Sequence, residues 1–161
     1  MSNIKKEPLE QIIIAKNKKA YFDYEILEEF EAGIMLAGSE VKSLRVNGCT
    51  IVDSHADLRS GAGTEELFLT NLQIPEYKGA KNFTHKPRRE RKLLLHKREI
   101  RKLIGKIKLK GLTIIPLLIY FNHKGLVKIT LGLGRGKNKA DKREVIKERE
   151  WKRDKAREMK K

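Results

Sequence analysis

The stretch GLTIIPLLIYFNHKGLVKITL, residues 111–131, consists of two apolar runs separated by a polar turn. The runs 112–121 and 126–131 flank Asn122–Gly125, a spacing typical of a β-hairpin. The first run is about half as long as a membrane-spanning helix, and it contains Pro116. The stretch therefore predicts two antiparallel strands in the interior of a soluble domain.

The chain before this hairpin carries further strand patterns. From Tyr24 to Leu36 most apolar residues occupy even positions and most glutamates odd positions, which is the period of a strand, although a helix is the competing interpretation. Two more strands are predicted near 53–59 and 66–74, joined by a turn at 60–64. We therefore expect five or six strands with two or three short helices.

Two of these helices are predicted from capping residues and periodicity. Ser39 can cap the first, which would end before Asn47-Gly48. The second has an i, i+3, i+4, i+7 apolar stripe within 100–107 and ends at Gly111. A small, mainly β antiparallel domain with flanking helices is compatible with a closed β-barrel of the OB type, although the pattern does not by itself require closure.

The charge of the chain indicates a polyanionic partner. Lys and Arg total 37 against 21 Asp and Glu, so the net charge is +16 and the isoelectric point is about 10.0. The N-terminus lacks the apolar core of a signal peptide, and the single Cys49 has no partner for an internal disulfide. We expect a cytoplasmic protein that binds no membrane, metal or other cofactor.

The last 25 residues differ in composition from the rest. Residues 137–161 contain 12 Lys and Arg and six Asp and Glu, and their apolar side chains form no helical stripe. This tail is predicted to be disordered when free and helical when a partner supplies the missing face. The predicted organisation is a flexible N-terminus at 1–11, a barrel domain at 12–136 and the basic tail at 137–161.

Several basic and aromatic residues are candidates for RNA contact. The loop 75–87 opens into the basic run 88–92, and the helix at 100–107 carries cations four residues apart at 98, 102 and 106. A solvated surface is the alternative for either patch. Tyr24 could stack on a base or pack in the core.

Two residues of opposite charge point away from the core by strand parity. Glu31 could accept hydrogen bonds from RNA, and Lys128 could contact phosphate, but a weak surface ion pair is the alternative that the residues alone favour. The three leucines at 93–95 cannot all face inward, so one of them could lie under a nucleotide.

Catalysis has little support in the sequence. The glycine-rich segment 132–137 lacks the spacing of a phosphate-binding loop. The four histidines have no paired spacing, so a ribonuclease using His96 and His123 is the weaker alternative to a non-enzymatic RNA-binding factor. A generic single-strand binder is a second alternative.

The order of several segments adds a resemblance to these patterns. The segments are Asn17–Ala20, Glu29–Gly33, Glu40–Arg45, Arg91–Lys97, Gly136-Lys137, Asp141–Arg143 and Lys147–Trp151. Over about residues 12–159 the chain resembles the SsrA-binding protein family, also called small protein B. The position before Asp141 often carries a His or an aromatic in that family, whereas here it is Ala140.

The resemblance implies a fold and a set of partners. It implies an OB-type barrel that binds the tRNA-like domain of transfer-messenger RNA (tmRNA). We separately expect the protein to be a monomer. The complex, charged with alanine and escorted by elongation factor Tu, would enter the A site of a stalled 70S ribosome for trans-translation. The tail would become helical along the decoding centre and the empty mRNA channel.

Motif and resemblance together predict two groups of site residues. The predicted RNA-binding residues are Lys18, Lys19, Tyr24, Glu31, Lys42, Arg45, Arg91, Lys92, Leu94, Lys97 and Lys128. The predicted tail residues that contact the ribosome are Lys137, Asp141, Lys142, Arg143, Lys147, Arg149, Trp151 and Met159.

Overall fold

A computed structural model describes residues 11–160 of the chain, so most of the predicted flexible N-terminus at 1–11 lies outside the described residues. The described part contains seven strands and four helices. The strands are β1 (Ile12–Lys16), β2 (Tyr24–Ile34), β3 (His55–Gly61), β4 (Thr64–Thr70), β5 (Arg91–Leu94), β6 (Thr113–Phe121) and β7 (Val127–Gly136). The helices are α1 (Lys18–Asp23), α2 (Gly38–Asn47), α3 (Lys97–Lys110) and α4 (Lys139–Glu158).

The strands form one antiparallel sheet in the order β1-β6-β7-β2-β5-β4-β3. The β6–β7 hairpin and the long strand β2 confirm the two strongest strand predictions. Strand β2 lies at the centre of the sheet, where it pairs with β7 along most of its length and with β5 at its end. The mainly β, antiparallel fold class is therefore confirmed.

The sheet is not a closed barrel, which corrects that part of the prediction. Strand β3 lies beside β6, but no ladder joins it to β6 or β1 within residues 11–160. One reason is that β1 already pairs with β6 at Leu118–Phe121, so this part of its outer edge has no free hydrogen-bonding groups for β3. A cavity of about 290 Å³ is lined by the first residues of β3 and of β6.

The core lies on the inner face of the sheet, under helix α3. Leu67, Ile119, Ile129 and Leu131 are fully buried there, and Leu103 brings the apolar stripe of α3 against them. Burial of a side chain of this size stabilises the fold by about 1.5–3 kcal/mol. Residues of the opposite parity on β2 and β7 therefore face away from the core.

Three local features differ from the sequence-based expectations. Helix α2 begins at Gly38 and not after a Ser39 cap, because the Glu40 carboxylate accepts a hydrogen bond from the Ala37 amide at 2.8 Å. Strand β1 and helix α1 were not predicted. The basic run at 88–92 contributes to β5, which pairs with β2 and β4.

The C-terminal segment is the helix α4, so the structure does not show the predicted disordered tail. None of its residues is buried. No helix within residues 11–160 is both long enough and apolar enough to cross a membrane.

Candidate RNA-binding surface

Four neighbouring strands place one row of residues on the outer face of the sheet. In register, Tyr120 of β6 lies opposite Lys128 of β7, Lys128 lies opposite Gly33 of β2, and Gly33 lies opposite Leu94 of β5. Glu31 lies two residues before Gly33 and therefore on the same face of β2. The fold thus brings Glu31, Leu94 and Lys128 together from distant parts of the chain.

Glu31 is held by two of these neighbours. Its carboxylate accepts a hydrogen bond from the Tyr120 hydroxyl and lies 3.9 Å from the Lys128 Nζ. Burial, and then the hydrogen bond to Glu31, raise the pKa of Tyr120, so its hydroxyl stays protonated and donates. The Glu31 side chain remains 54% exposed, so the carboxylate can still accept a hydrogen bond from a ligand.

Gly33 lies between Lys128 and Leu94 in the row and has no side chain of its own. A Cβ atom at position 33 would lie 3.2 Å from the Leu94 Cβ, which is tighter than ordinary van der Waals contact. Leu94 is 48% exposed, whereas Leu93 on the opposite face of β5 is buried. The row therefore combines an acceptor, a cation and an apolar surface, which are groups that can contact a sugar, a phosphate and a base.

Arg91 does not belong to this surface, which corrects its prediction as an RNA-binding residue. Its side chain is fully buried, and its guanidinium forms an ion pair with Glu40 at 2.7 Å. It also donates to the carbonyl oxygens of Leu72 at 2.7 Å and Pro87 at 3.1 Å. Burial lowers the pKa of Arg91, but the neighbouring carboxylate of Glu40 opposes this effect. Arg91 is a buried structural residue.

The other cations of the run at 88–92 also have protein partners. Arg89 pairs with Glu40 at 2.6 Å, and Lys92 pairs with Glu66 at 2.5 Å. Arg88 donates to the side chain of Gln73 at 3.1 Å. Because Arg88 and Lys92 remain at least partly exposed, these pairs do not prevent contact with a phosphate.

Helix α3 carries the three cations of the predicted face, Arg98, Lys102 and Lys106, of which Arg98 is exposed, and the separately predicted Lys97. Lys102 and Lys106 pair with Glu28 of β2, and these pairs fix the helix against the sheet. Lys97 is exposed at the start of α3 and, with Arg101, lines a cleft beside the β3–β4 turn. Lys102 remains largely exposed in its pair at 3.7 Å, so it can attract phosphates as Lys97 and Arg101 can.

Helices α1 and α2 carry the remaining predicted cations. Lys18 and Lys19 are exposed on α1. On α2, the Lys42 ammonium lies 6.0 Å from the Tyr77 ring centre, and the Arg45 guanidinium lies 5.5 Å from the Phe121 ring centre.

Tyr24 is partly buried at the start of β2. It packs against a second, smaller core formed by Ala20, Ile115 and Leu117. Core packing therefore covers much of the Tyr24 side chain.

Three of the predicted tail residues contact helix α1. Lys142 forms an ion pair with Asp23 at 3.0 Å, and Lys137 donates to the Tyr21 carbonyl at 3.0 Å. The Phe22 ring lies 6.0 Å from the Lys142 ammonium and 5.4 Å from the Arg149 guanidinium. The exposed members of the predicted tail group are Asp141, Arg143, Lys147, Arg149, Trp151 and Met159.

The sequence did not indicate three residues that shape these contacts. Tyr120 lies in an apolar run that looked entirely internal, although its register with Lys128 would have indicated the outer face. Gly33 entered only as part of the family segment Glu29–Gly33, with no indication that it lies between Lys128 and Leu94, and Asp23 carried no signal. Among residues 11–160, no group of three or more His, Cys, Asp or Glu side chains is arranged to hold a metal ion.

Comparison with known proteins gives a consistent family match. The family model described as SmpB protein matches residues 14–161. The SsrA-binding protein of Wolbachia pipientis subsp. Culex pipiens is 54% identical over 145 residues, which cover 90% of this chain and 95% of that protein. The SsrA-binding protein of Thermosipho africanus is 55% identical over 138 residues, which cover 86% of this chain and 90% of that protein.

A solved structure matches as well. It is described as "tmRNA-SmpB: a journey to the center of the bacterial ribosome". The matching chain is 46% identical and superposes with a TM-score of 0.59, covering 87% of this chain and 95% of that chain.

Proposed function

The chain belongs to the SmpB family, and on this premise we propose that it binds the tRNA-like domain of tmRNA and delivers this RNA to the A site of stalled ribosomes. Trans-translation would then rescue the ribosome and tag the incomplete polypeptide. The observation that carries the proposal is the convergence of Glu31, Leu94 and Lys128 around Gly33.

The chemistry of this row suits a folded RNA. Lys128 can exchange its 3.9 Å contact with Glu31 for a phosphate, because a pair at this distance and exposure contributes little to stability. Glu31 can then accept a hydrogen bond from a 2′-hydroxyl or a base amino group, while Tyr120 keeps it in position. Leu94 offers an apolar surface to a sugar or base. The net charge of +16 would speed the encounter with RNA.

The tail performs a separate step in this proposal. Helix α4 buries none of its side chains, and isolated helices are marginal in water. We propose that α4 unfolds readily when it leaves α1, and that it is helical again in the mRNA channel, where Asp141, Arg143 and Trp151 contact the decoding centre. The ion pair of Lys142 with Asp23 would break in this transfer.

The remaining parts of the proposal concern its partners and setting. The protein would act as a monomer in the cytoplasm, in a complex that contains alanyl-tmRNA and elongation factor Tu. It would act by binding alone and without catalysis. The ribonuclease alternative would require RNA cleavage that is lost when His96 and His123 are substituted.

A competition titration tests the proposal. The purified protein is titrated against tmRNA, tRNA, single-stranded RNA and duplex DNA at two salt concentrations. We expect tmRNA to be bound most tightly by orders of magnitude at physiological salt. Equal competition by all four, with binding that collapses in high salt, would mean that charge alone accounts for the affinity.

A further inference from the structure

Residues 75–86 form a loop whose two ends are joined. The Ile74 amide donates to the Pro87 carbonyl at 3.0 Å, so the chain returns to its starting point. This geometry is that of an Ω-loop, a class of compact surface loop that frequently carries function.

Helix α2 and the loop's own His85 hold it in place. The Ser43 hydroxyl donates to the Pro75 carbonyl at 2.5 Å. The buried His85 ring contacts the Ser39 hydroxyl at 3.0 Å and the Ile74 carbonyl at 3.0 Å. The loop therefore has a defined conformation, and it presents its outward side chains from a fixed base.

Phe83 is the most prominent of these outward side chains. It is 89% exposed, the highest value among the large hydrophobic residues that the structure describes. Burial of a phenylalanine would contribute about 1.5–3 kcal/mol to stability. Phe83 does not contribute this stabilisation, although His85, two residues later in the same loop, is buried. An aromatic ring in this position is available to a ligand.

The charge around Phe83 indicates what kind of ligand it fits. The loop 75–86 contains three Lys residues and a single acidic residue, Glu76, at its start, and Arg88 and Arg89 follow it. Lys81 and Lys86 flank Phe83 and are exposed. Lys42 of α2, beside Tyr77, extends the positive surface. An exposed ring among cations is the combination by which proteins stack on unpaired nucleobases while neutralising the adjacent phosphates.

We propose that loop 75–86 is a second RNA-binding element in which Phe83 stacks on an unpaired nucleobase and Lys81 and Lys86 contact the flanking phosphates. The proposal rests on the proposed function, because it adds a contact to the same RNA-binding protein. It is distinct from the row around Gly33, since none of its residues belongs to that row. The base could come from the tRNA-like domain or from ribosomal RNA, and the experiment separates these two sources.

The test measures RNA affinity of the full chain with Phe83→Ala, Phe83→Leu and Phe83→Tyr. Leu109→Ala is the matched control, because Leu109 is 86% exposed on α3, away from the loop. The probes are the isolated tRNA-like domain and vacant 70S ribosomes. Loss of one stacking contact lowers affinity by about 5- to 150-fold. We expect this loss with Ala, a smaller recovery with Leu, and near wild-type affinity with Tyr.

The two probes assign the source of the base. A loss confined to the tRNA-like domain places it in tmRNA, and a loss confined to ribosomes places it in ribosomal RNA. Stacking also predicts a similar fold-change at two salt concentrations, whereas Lys81→Ala should reduce the salt dependence itself.

Normal affinity of Phe83→Ala for both probes, while the wild-type protein binds them, would overturn this inference alone. Failure of the wild-type protein to prefer the tRNA-like domain would instead count against the proposed function. Equal losses for Leu109→Ala and Phe83→Ala would also overturn the stacking proposal.

Discussion

Substitution of Glu40 by alanine should destabilise the protein strongly, because it leaves a buried cation without its partner. Glu40 and Arg91 are both fully buried, and Arg89 also pairs with this carboxylate at 2.6 Å. The Glu40 side chain in addition accepts the hydrogen bond from the Ala37 amide at the start of α2. The substitution therefore affects α2, β5 and the base of loop 75–86 together.

The size of the effect follows from what Arg91 retains. Removing one partner of a buried pair costs about 3–5 kcal/mol. Arg91 keeps its hydrogen bonds to the carbonyl oxygens of Leu72 at 2.7 Å and Pro87 at 3.1 Å, which favours the lower end of that range. A loss of about 3 kcal/mol corresponds to a decrease in Tm of about 6–12 °C for a chain of this size.

Thermal and urea unfolding of Glu40→Ala and Glu40→Gln measure this loss. The amide of the Gln variant can still accept one hydrogen bond, so its loss should be smaller. The control is Glu150→Ala, which removes an exposed carboxylate and should change stability by less than about 0.5 kcal/mol. A Glu40→Ala variant within about 1 kcal/mol of the wild type would refute the assignment of Arg91 as a buried, charged structural residue.

The same carboxylate predicts a pH dependence. Burial raises the pKa of Glu40, but hydrogen bonds from Arg89, the Ala37 amide and Arg91 outweigh burial, and the net pKa lies below its ordinary value of 4.5. The stabilisation is therefore present above about pH 4.5 and is lost as the pH falls through the lower folded-state pKa. The stability difference between wild type and Glu40→Ala should shrink in acid, and a constant difference would contradict this sign.

Three further outcomes are expected. Glu31→Ala should weaken tmRNA binding by about tenfold or more in a direct titration while the fold is retained, because a charged acceptor is lost. The control is Glu29→Ala, which removes the same charge from an exposed position of the same strand, and equal effects of the two substitutions would reduce Glu31 to an ion-pair partner. Gly134→Ala should lower the free energy of unfolding, measured in urea, by at least about 1–3 kcal/mol, because the new Cβ would lie 2.3 Å from the Glu25 carbonyl oxygen. Gly136→Ala is its control, because a Cβ at position 136 meets nothing within 4 Å and should not destabilise the chain. Deletion of 137–161 should leave tmRNA affinity nearly unchanged and abolish tagging in a translation assay; normal tagging by the deletion would refute the separate role of the tail.

Local patterns in the sequence were sufficient to predict β2, β3, β4, β6 and β7, but not β1 or β5, and they predicted which side chains of β2 and β7 face outward. Alternation along β2 placed Glu31 on the outer face, and the β6–β7 hairpin placed Lys128 there, because successive side chains of a strand point to opposite faces. The apolar stripe of α3 could be predicted from the sequence for a similar reason, because residues three and four apart share one face of a helix. The family resemblance then indicated that Glu31 and Lys128, among the many charged residues, are RNA-binding residues.

Only the tertiary structure decided which residues meet. From the sequence Arg91 is predicted to be a surface cation, but the fold places Glu40, 51 residues earlier in the chain, beside it in the interior. Leu94 lies next to Gly33 only because β5 pairs with β2. The strand order, with β1 and β3 at the two edges of the sheet, likewise could not be predicted from any one segment. Periodicity is a property of each segment and can be read locally, whereas burial of a charge, strand order and register depend on contacts between segments that are distant in sequence.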